Sequence, residues 1–261
     1  MATINYLILL KNYEFAMHWL SGAVLAMALV LALVWVLSIL RLQSNLGRAS
    51  SKPKFSQLFS KSRSVNILSA ARLFLFAARD VWFVVALPVY LSATPGWDYS
   101  EVGAYLALWI IGYGAVQALA PRFTSAASGR PPDGRSALVW ALALAGIPAL
   151  IAVALVNEFA PSLSLLGGLL ILGVVFAINS SMHSYLIVSY AQADCVSLDI
   201  GFYYMANAMG RLFGTVLSGW IFQNRGLADC LVSSTLMVLL CAVISIWLPR
   251  YNERQVATTN G

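Results

Sequence analysis

Long apolar stretches alternate with short polar segments along the whole chain. Seven of these stretches are long enough to cross a bilayer, because about 20 apolar residues in a helix span its hydrocarbon core. We name them spans A to G: residues 15–40, 65–91, 102–119, 136–156, 165–190, 200–222 and 231–248. Residues 1–14 form a lead-in, 41–64 a basic loop and 249–261 a polar tail. The pattern predicts an all-α integral membrane protein with about seven transmembrane helices.

The composition excludes an ordinary soluble protein. Hydrophobic residues make up 60% of the chain and charged residues 10%, whereas soluble domains have about 45–50% and about 25%. The three cysteines show no C-x-x-C or other metal-binding spacing, and no catalytic or phosphate-loop motif is present. We therefore expect a non-enzymatic protein of the cell inner membrane, without metal or cofactor, whose surroundings are lipid and not nucleic acid.

The distribution of basic residues predicts the orientation in the membrane. If all seven spans cross, eleven of the sixteen lysines and arginines fall on one side and two on the other, with three inside spans. Basic loops stay in the cytoplasm according to the positive-inside rule. We predict a cytoplasmic loop at 41–64 and a cytoplasmic C-terminus.

Span F carries an arginine near its centre, where an unpaired charge is costly. Polar residues at spacings of three or four share one helical face with it: Tyr204, Asn207, Arg211, Thr215 and Ser218. The pattern predicts one side of a polar pathway. Tyr204 and Asn207 could bind a substrate together with Arg211, or hold neighbouring helices together.

Span B contains Arg72, Arg79 and Asp80. The two arginines are seven residues apart and therefore lie on nearly the same helical face. Their guanidinium groups, with that of Arg211, suit phosphate-like or carboxylate oxyanions. The alternative is a structural ion pair of Arg79 or Arg211 with Asp80, while Arg72 reaches the cytoplasmic interface. Asp80 is interpreted as an arginine partner or as a proton-coupling group.

Span E carries Asn179 and His183 on one helical face. His183 is interpreted as a coupling residue, because histidine titrates near neutral pH, or as a hydrogen-bonded packing residue. In span F, Gly210 and Gly214 form a small-x-x-x-small pattern that allows close packing of a neighbouring helix.

The polar residues also suggest two related triplets of spans, B-C-D and E-F-G, each ending in an apolar span. Such a pattern is typical of an inverted repeat in transporters. With the basic loop at 41–64, the chain resembles the C-terminal half of a major facilitator superfamily transporter, preceded by the last span of the N-terminal half.

Three segments carry a more specific resemblance, to the organoarsenical efflux permeases of the ArsJ type. They are SAARLFLFAARDVWF at 69–83, NSSMHSY at 179–185 and SLDIGFYYMAN at 197–207. The likeness covers roughly residues 19–251. It implies efflux of a small anionic, phosphorylated metabolite, 1-arseno-3-phosphoglycerate, in arsenate resistance.

Relative to that family, about five N-terminal spans are missing. The resemblance therefore implies either a half-transporter that works with a separate N-terminal half, or a truncated membrane remnant that does not transport. Transport of another organic anion is a further alternative.

Overall fold

The computed structural model describes residues 2–41, 62–128, 131–191 and 196–250, and within these ranges it contains helices and turns but no strand. The helices are α1 (Ala2–Arg41), α2 (Arg63–Phe83), α3 (Ala86–Ala93), α4 (Tyr99–Ser128), α5 (Gly134–Val156), α6 (Pro161–Tyr190), α7 (Val196–Arg225) and α8 (Leu227–Ser245). The chain divides into two compact units, Met1–Lys52 and Pro53–Gly261. The first contains α1, and the second contains α2 to α8.

The first unit is a single long helix in its described part. Its segment Val24–Arg41 is strongly apolar. The helix begins at Ala2 and therefore includes most of the predicted lead-in. The predicted basic loop, apart from its ends, and nearly all of the predicted tail lie outside the described residues.

Within the described residues, six segments are helical, long and apolar enough to cross a membrane. They are Val24–Arg41, Arg63–Ala93, Tyr99–Arg122, Gly134–Val156, Pro161–Tyr190 and Leu227–Ser245. These segments confirm the coarse prediction of a helical, multi-pass membrane protein. The helix α7, predicted as span F, is not among them, although it is 30 residues long. Its polar and charged residues, among them Asp199, Asn207 and Arg211, make α7 less apolar than these six segments.

Local sequence signals set several helix ends. The side chain of Ser62 accepts a hydrogen bond from the backbone of Val65 at the start of α2, and Asp133 does the same for Ser136 at the start of α5. Such caps satisfy backbone N–H groups that have no partner inside the helix. Pro161 occupies the first turn of α6, where its missing N–H costs nothing. Gly226 separates α7 from α8 with a φ of 85°, a conformation that glycine adopts readily.

The second unit has a regular packing pattern. Helix α2 packs against α7 and α8, helix α6 packs against α4 and α5, and α5 packs against α8. Helices α2, α4 and α5 correspond to α6, α7 and α8, in that order. If each helix is exchanged for its counterpart, the same set of main contacts results. The hydrophobic core includes Leu75, Trp82, Leu144, Leu169 and Cys241, which are fully buried or nearly so.

A break in the helix at Val84–Val85 separates α2 from α3. The backbone N–H of Ala86, at the start of α3, donates a 3.1 Å hydrogen bond to the buried hydroxyl of Ser218 in α7. The hydroxyl replaces a partner that a continuous helix would have supplied. The break is thus tied to the helix that carries Arg211.

A candidate anion-binding site between α2 and α7

Two glycines allow the backbones of α2 and α7 to approach closely. A methyl group on Gly214 would lie 2.6 Å from the carbonyl oxygen of Ala77, and one on Gly210 would overlap the carbonyl oxygen of Leu73. The small-x-x-x-small pattern therefore lies at the packed face of α7. This approach brings the polar side chains of the two helices together.

Asp80 connects two arginines. Both Nε and Nη2 of Arg79 donate to Oδ1 of Asp80 at 2.6 Å. The Nε of Arg211 donates to Oδ2 of the same carboxylate at 3.1 Å. Both ion pairs considered from the sequence are therefore present at once. We call Arg79, Asp80 and Arg211 the triad.

The three members of the triad differ strongly in exposure. The side chain of Asp80 is 1% exposed, that of Arg79 is 13% exposed and that of Arg211 is 56% exposed. Within the described residues, Arg211 makes no other side-chain hydrogen bond. Its two terminal nitrogens are therefore available to bind a ligand.

Arg72 lies deeper and joins three helices. Its Nε donates to Oδ1 of Asn207 in α7 at 3.0 Å, and its Nη1 donates to the carbonyl oxygen of Ser180 in α6 at 3.2 Å. Only 4% of Arg72 is exposed. The alternative that Arg72 reaches the cytoplasmic interface does not agree with the structure, because these hydrogen bonds hold the side chain inside the bundle.

Aromatic rings contact both Arg72 and Arg79. The guanidinium carbon of Arg72 lies 4.0 Å from the ring centre of Phe76, and that of Arg79 lies 4.9 Å from the same centre. The ring of Tyr203 also contacts Arg72, and the ring of Phe176 contacts Arg79. Faces of aromatic rings attract cations, which stabilises these charges where water is scarce.

The positive charges exceed the negative charges at this site. Two guanidinium groups, those of Arg79 and Arg211, share the single carboxylate of Asp80, and no described carboxylate lies at ion-pair distance from Arg72. Hydrogen bonds and rings stabilise the excess charge but do not cancel it. The arrangement is therefore suited chemically to an anion and unsuited to a cation.

Other predicted site residues take different positions. Asn207 bonds Arg72, and Tyr204 is 55% exposed with its ring against Tyr203. Ser218, predicted on the same face as Arg211, is instead buried against the start of α3. Thr215 is half-buried.

Asn179 and His183 are completely buried inside the bundle. The side-chain nitrogen of Asn179 donates to the carbonyl oxygens of Trp140 and Val175 at 3.0 and 3.1 Å, which links α6 to α5. His183 is completely buried, and neither ring nitrogen has a hydrogen-bond partner among the described residues. Its predicted hydrogen bond is therefore missing from the described structure.

Sequence reasoning missed two participants, Phe76 and Ser180. Phe76 follows Arg72 by four residues and precedes Arg79 by three, so helical spacing could have placed its ring between the two arginines. No local signal marks Ser180, because it contributes a backbone carbonyl from another helix. No family model matches the chain, and no curated protein is significantly similar to it.

Proposed function

We propose that this chain is a membrane transporter, or one half of a transporter, that exports an anionic phosphorylated metabolite. The observation that carries the proposal is the excess of arginine over carboxylate between α2 and α7. Charges inside membrane proteins are costly, and they often mark pathways for substrates or ions. A bound anion would offset the excess charge.

The packing pattern supports the architecture that the proposal needs. Two triplets of helices with corresponding contacts are expected of a transporter built from repeats, in which substrate binds near the middle of the membrane. We include α7 as a seventh span despite its polarity. Its exposed arginine would then face a wet cavity or a partner bundle instead of lipid.

The resemblance to the organoarsenical permeases supplies the specific cargo of the proposal, 1-arseno-3-phosphoglycerate. It also supplies the expected place of the protein in the inner membrane, with a cytoplasmic C-terminus. In that family a second six-span half completes the cavity, so the transport test includes such a half.

Transport can be tested in everted membrane vesicles that contain the chain with and without a co-expressed N-terminal half. The cargo is generated in the assay from arsenate by a glyceraldehyde-phosphate dehydrogenase. We expect accumulation in the vesicles and higher arsenate tolerance of the cells. No accumulation and no tolerance, with the protein present in the membrane, would reject the cargo and favour a non-transporting remnant.

The variant Arg211→Lys sharpens this test, because it keeps the charge and removes the planar pair of terminal nitrogens. We expect transport to fall by about tenfold or more, as for the loss of one charged hydrogen bond. Arg225→Lys is the matched control, since Arg225 is 73% exposed and pairs only loosely with Asp229 at 3.8 Å. Unchanged transport in Arg211→Lys would argue against oxyanion recognition by this residue.

A further inference from the structure

We infer that Arg211 binds a doubly charged oxyanion through its two terminal nitrogens, and that Asp80 is the positioning residue that orients Arg211 for it. The inference rests on the proposed function, because it names the charge class of the anion that the same site takes. It assigns different roles to residues that the sequence presents as one group.

The hydrogen bonds fix the orientation of Arg211. Asp80 accepts only the Nε of Arg211, while its other oxygen is held by two nitrogens of Arg79. Because Asp80 is buried and held on both oxygens, its carboxylate has little freedom to rotate. The two terminal nitrogens of Arg211 make no hydrogen bond to Asp80, so they remain able to donate to two oxygens of one ligand.

The charge of the surroundings favours a dianion over a monoanion. The triad carries a net charge of +1, and Arg72 adds a second positive charge without a carboxylate at ion-pair distance. The guanidinium carbons of Arg72 and Arg79 lie 4.0 and 4.9 Å from the centre of the same Phe76 ring, so the two positive charges are near each other. At such separations and reduced dielectric, the charge of Arg72 adds to the positive potential around Arg79 and the triad.

The first test uses the wild-type full chain in membrane vesicles and an arginine-selective dicarbonyl reagent, phenylglyoxal. Mass spectrometry measures the modification of each arginine in the presence of sulfate or methanesulfonate at equal ionic strength. These two probes share a tetrahedral sulfur but differ by one charge. Two arginines serve as internal references: buried Arg72 should not react, and exposed Arg225 should react without being protected.

We expect sulfate to protect Arg211 at a concentration at least about tenfold lower than methanesulfonate, the effect of one additional charge interaction. Equal protection by the two probes would overturn the preference for a dianion. An absence of protection by either probe would overturn the site itself.

The second test separates positioning from simple charge balance by the sign of the effect. The variant Asp80→Asn makes the site more positive, so a merely charge-balancing Asp80 predicts stronger protection by sulfate. A positioning role predicts weaker protection, because Arg211 loses its orientation. Asp229→Asn makes the same change of charge next to Arg225 and should leave the protection of Arg211 unchanged.

Protection of Asp80→Asn equal to or stronger than that of wild type would overturn the positioning role. If this variant does not fold, Asp80→Glu keeps the charge and moves the carboxylate by one methylene. We again expect weaker protection of Arg211, and full protection would overturn the role.

The outcomes for the site and for transport are distinguishable. Protection of Arg211 by sulfate without vesicle uptake supports the anion site and rejects the proposed transport. Uptake without a preference of Arg211 for sulfate supports transport and rejects the present inference.

Discussion

The α-carbon of Gly210 packs so closely against the carbonyl oxygen of Leu73 that a side-chain methyl group at position 210 would overlap this oxygen. The contact fixes the distance between α7 and α2, and the triad is assembled across the same pair of helices. The geometry of the candidate site therefore depends on a residue that takes no part in its chemistry.

We predict that Gly210→Ala destabilises the protein by about 1–3 kcal/mol, because the backbone of α2 must move to make room. The measurement is the unfolding midpoint of the purified protein in mixed micelles titrated with a denaturing detergent. Gly219→Ala, in the same helix, is the control, since a methyl group there meets nothing within 4 Å. Equal stability of the two variants would contradict the close packing.

The hydrogen bonds of Arg72 lead to a second prediction. Arg72→Lys keeps the charge but cannot reach Asn207 and Ser180 together with the same geometry. We expect a loss of about 1–3 kcal/mol, because the buried carbonyl of Ser180 and the half-buried side chain of Asn207 lose a charged donor. Detergent unfolding measures the loss, and Arg63→Lys at the exposed start of α2 provides the control. A stability equal to that of the control would show that Arg72 does not join the helices.

A third prediction concerns Ser218 and the break between α2 and α3. Ser218→Ala removes the only side-chain acceptor that the described structure gives to the N–H of Ala86. The site is fully buried, so the orphaned N–H should cost about 1–3 kcal/mol. Unfolding measurements on Ser218→Ala and on the half-buried control Ser233→Ala test this. A neutral Ser218→Ala would mean that the hydroxyl does not support the break.

A fourth prediction concerns pH and the start of α4. Oδ1 of Asp98 accepts hydrogen bonds from the Ser100 hydroxyl, the Ser100 N–H and the Glu101 N–H. In return, Oε2 of Glu101 accepts a hydrogen bond from the Asp98 N–H. The Ser100 hydroxyl and then the Glu101 N–H lower the pKa of Asp98 below its ordinary value of 3.8. The carboxylate therefore stabilises the start of α4 fully at pH values above 3.8. The stabilisation is lost as the pH falls through the lowered pKa of Asp98.

Hydrogen–deuterium exchange, corrected for the intrinsic rate at each pH, measures this effect. We expect the first turn of α4 to lose protection in acid and, at neutral pH, in Asp98→Ala. The first turn of α5, capped by Asp133, serves as the reference in the same sample of Asp98→Ala and should not change. Unaltered protection of α4 in Asp98→Ala would exclude the cap.

The helical, membrane-spanning character could be predicted from sequence because hydropathy is a local property. The sequence allows an ion pair between Asp80 and Arg211 as one alternative. Its geometry cannot be predicted locally, because the two residues are 131 positions apart and lie on different helices. Ser218 shows a second limit of helical spacing. It lies seven residues after Arg211, yet it is buried while Arg211 is exposed, because α3 covers one end of the face and not the other.

The order of Arg79 and Asp80 in the chain has a consequence for biosynthesis. These two residues are adjacent, so their ion pair can form as soon as α2 leaves the ribosome, whereas Arg211 is made 131 residues after Asp80. Early pairing lowers the cost of moving both charges into the membrane. An insertion assay on α2 alone should therefore give poorer insertion for Asp80→Asn than for wild type. In that case the carboxylate of Asp80 would first aid insertion of α2 and later link α2 to α7.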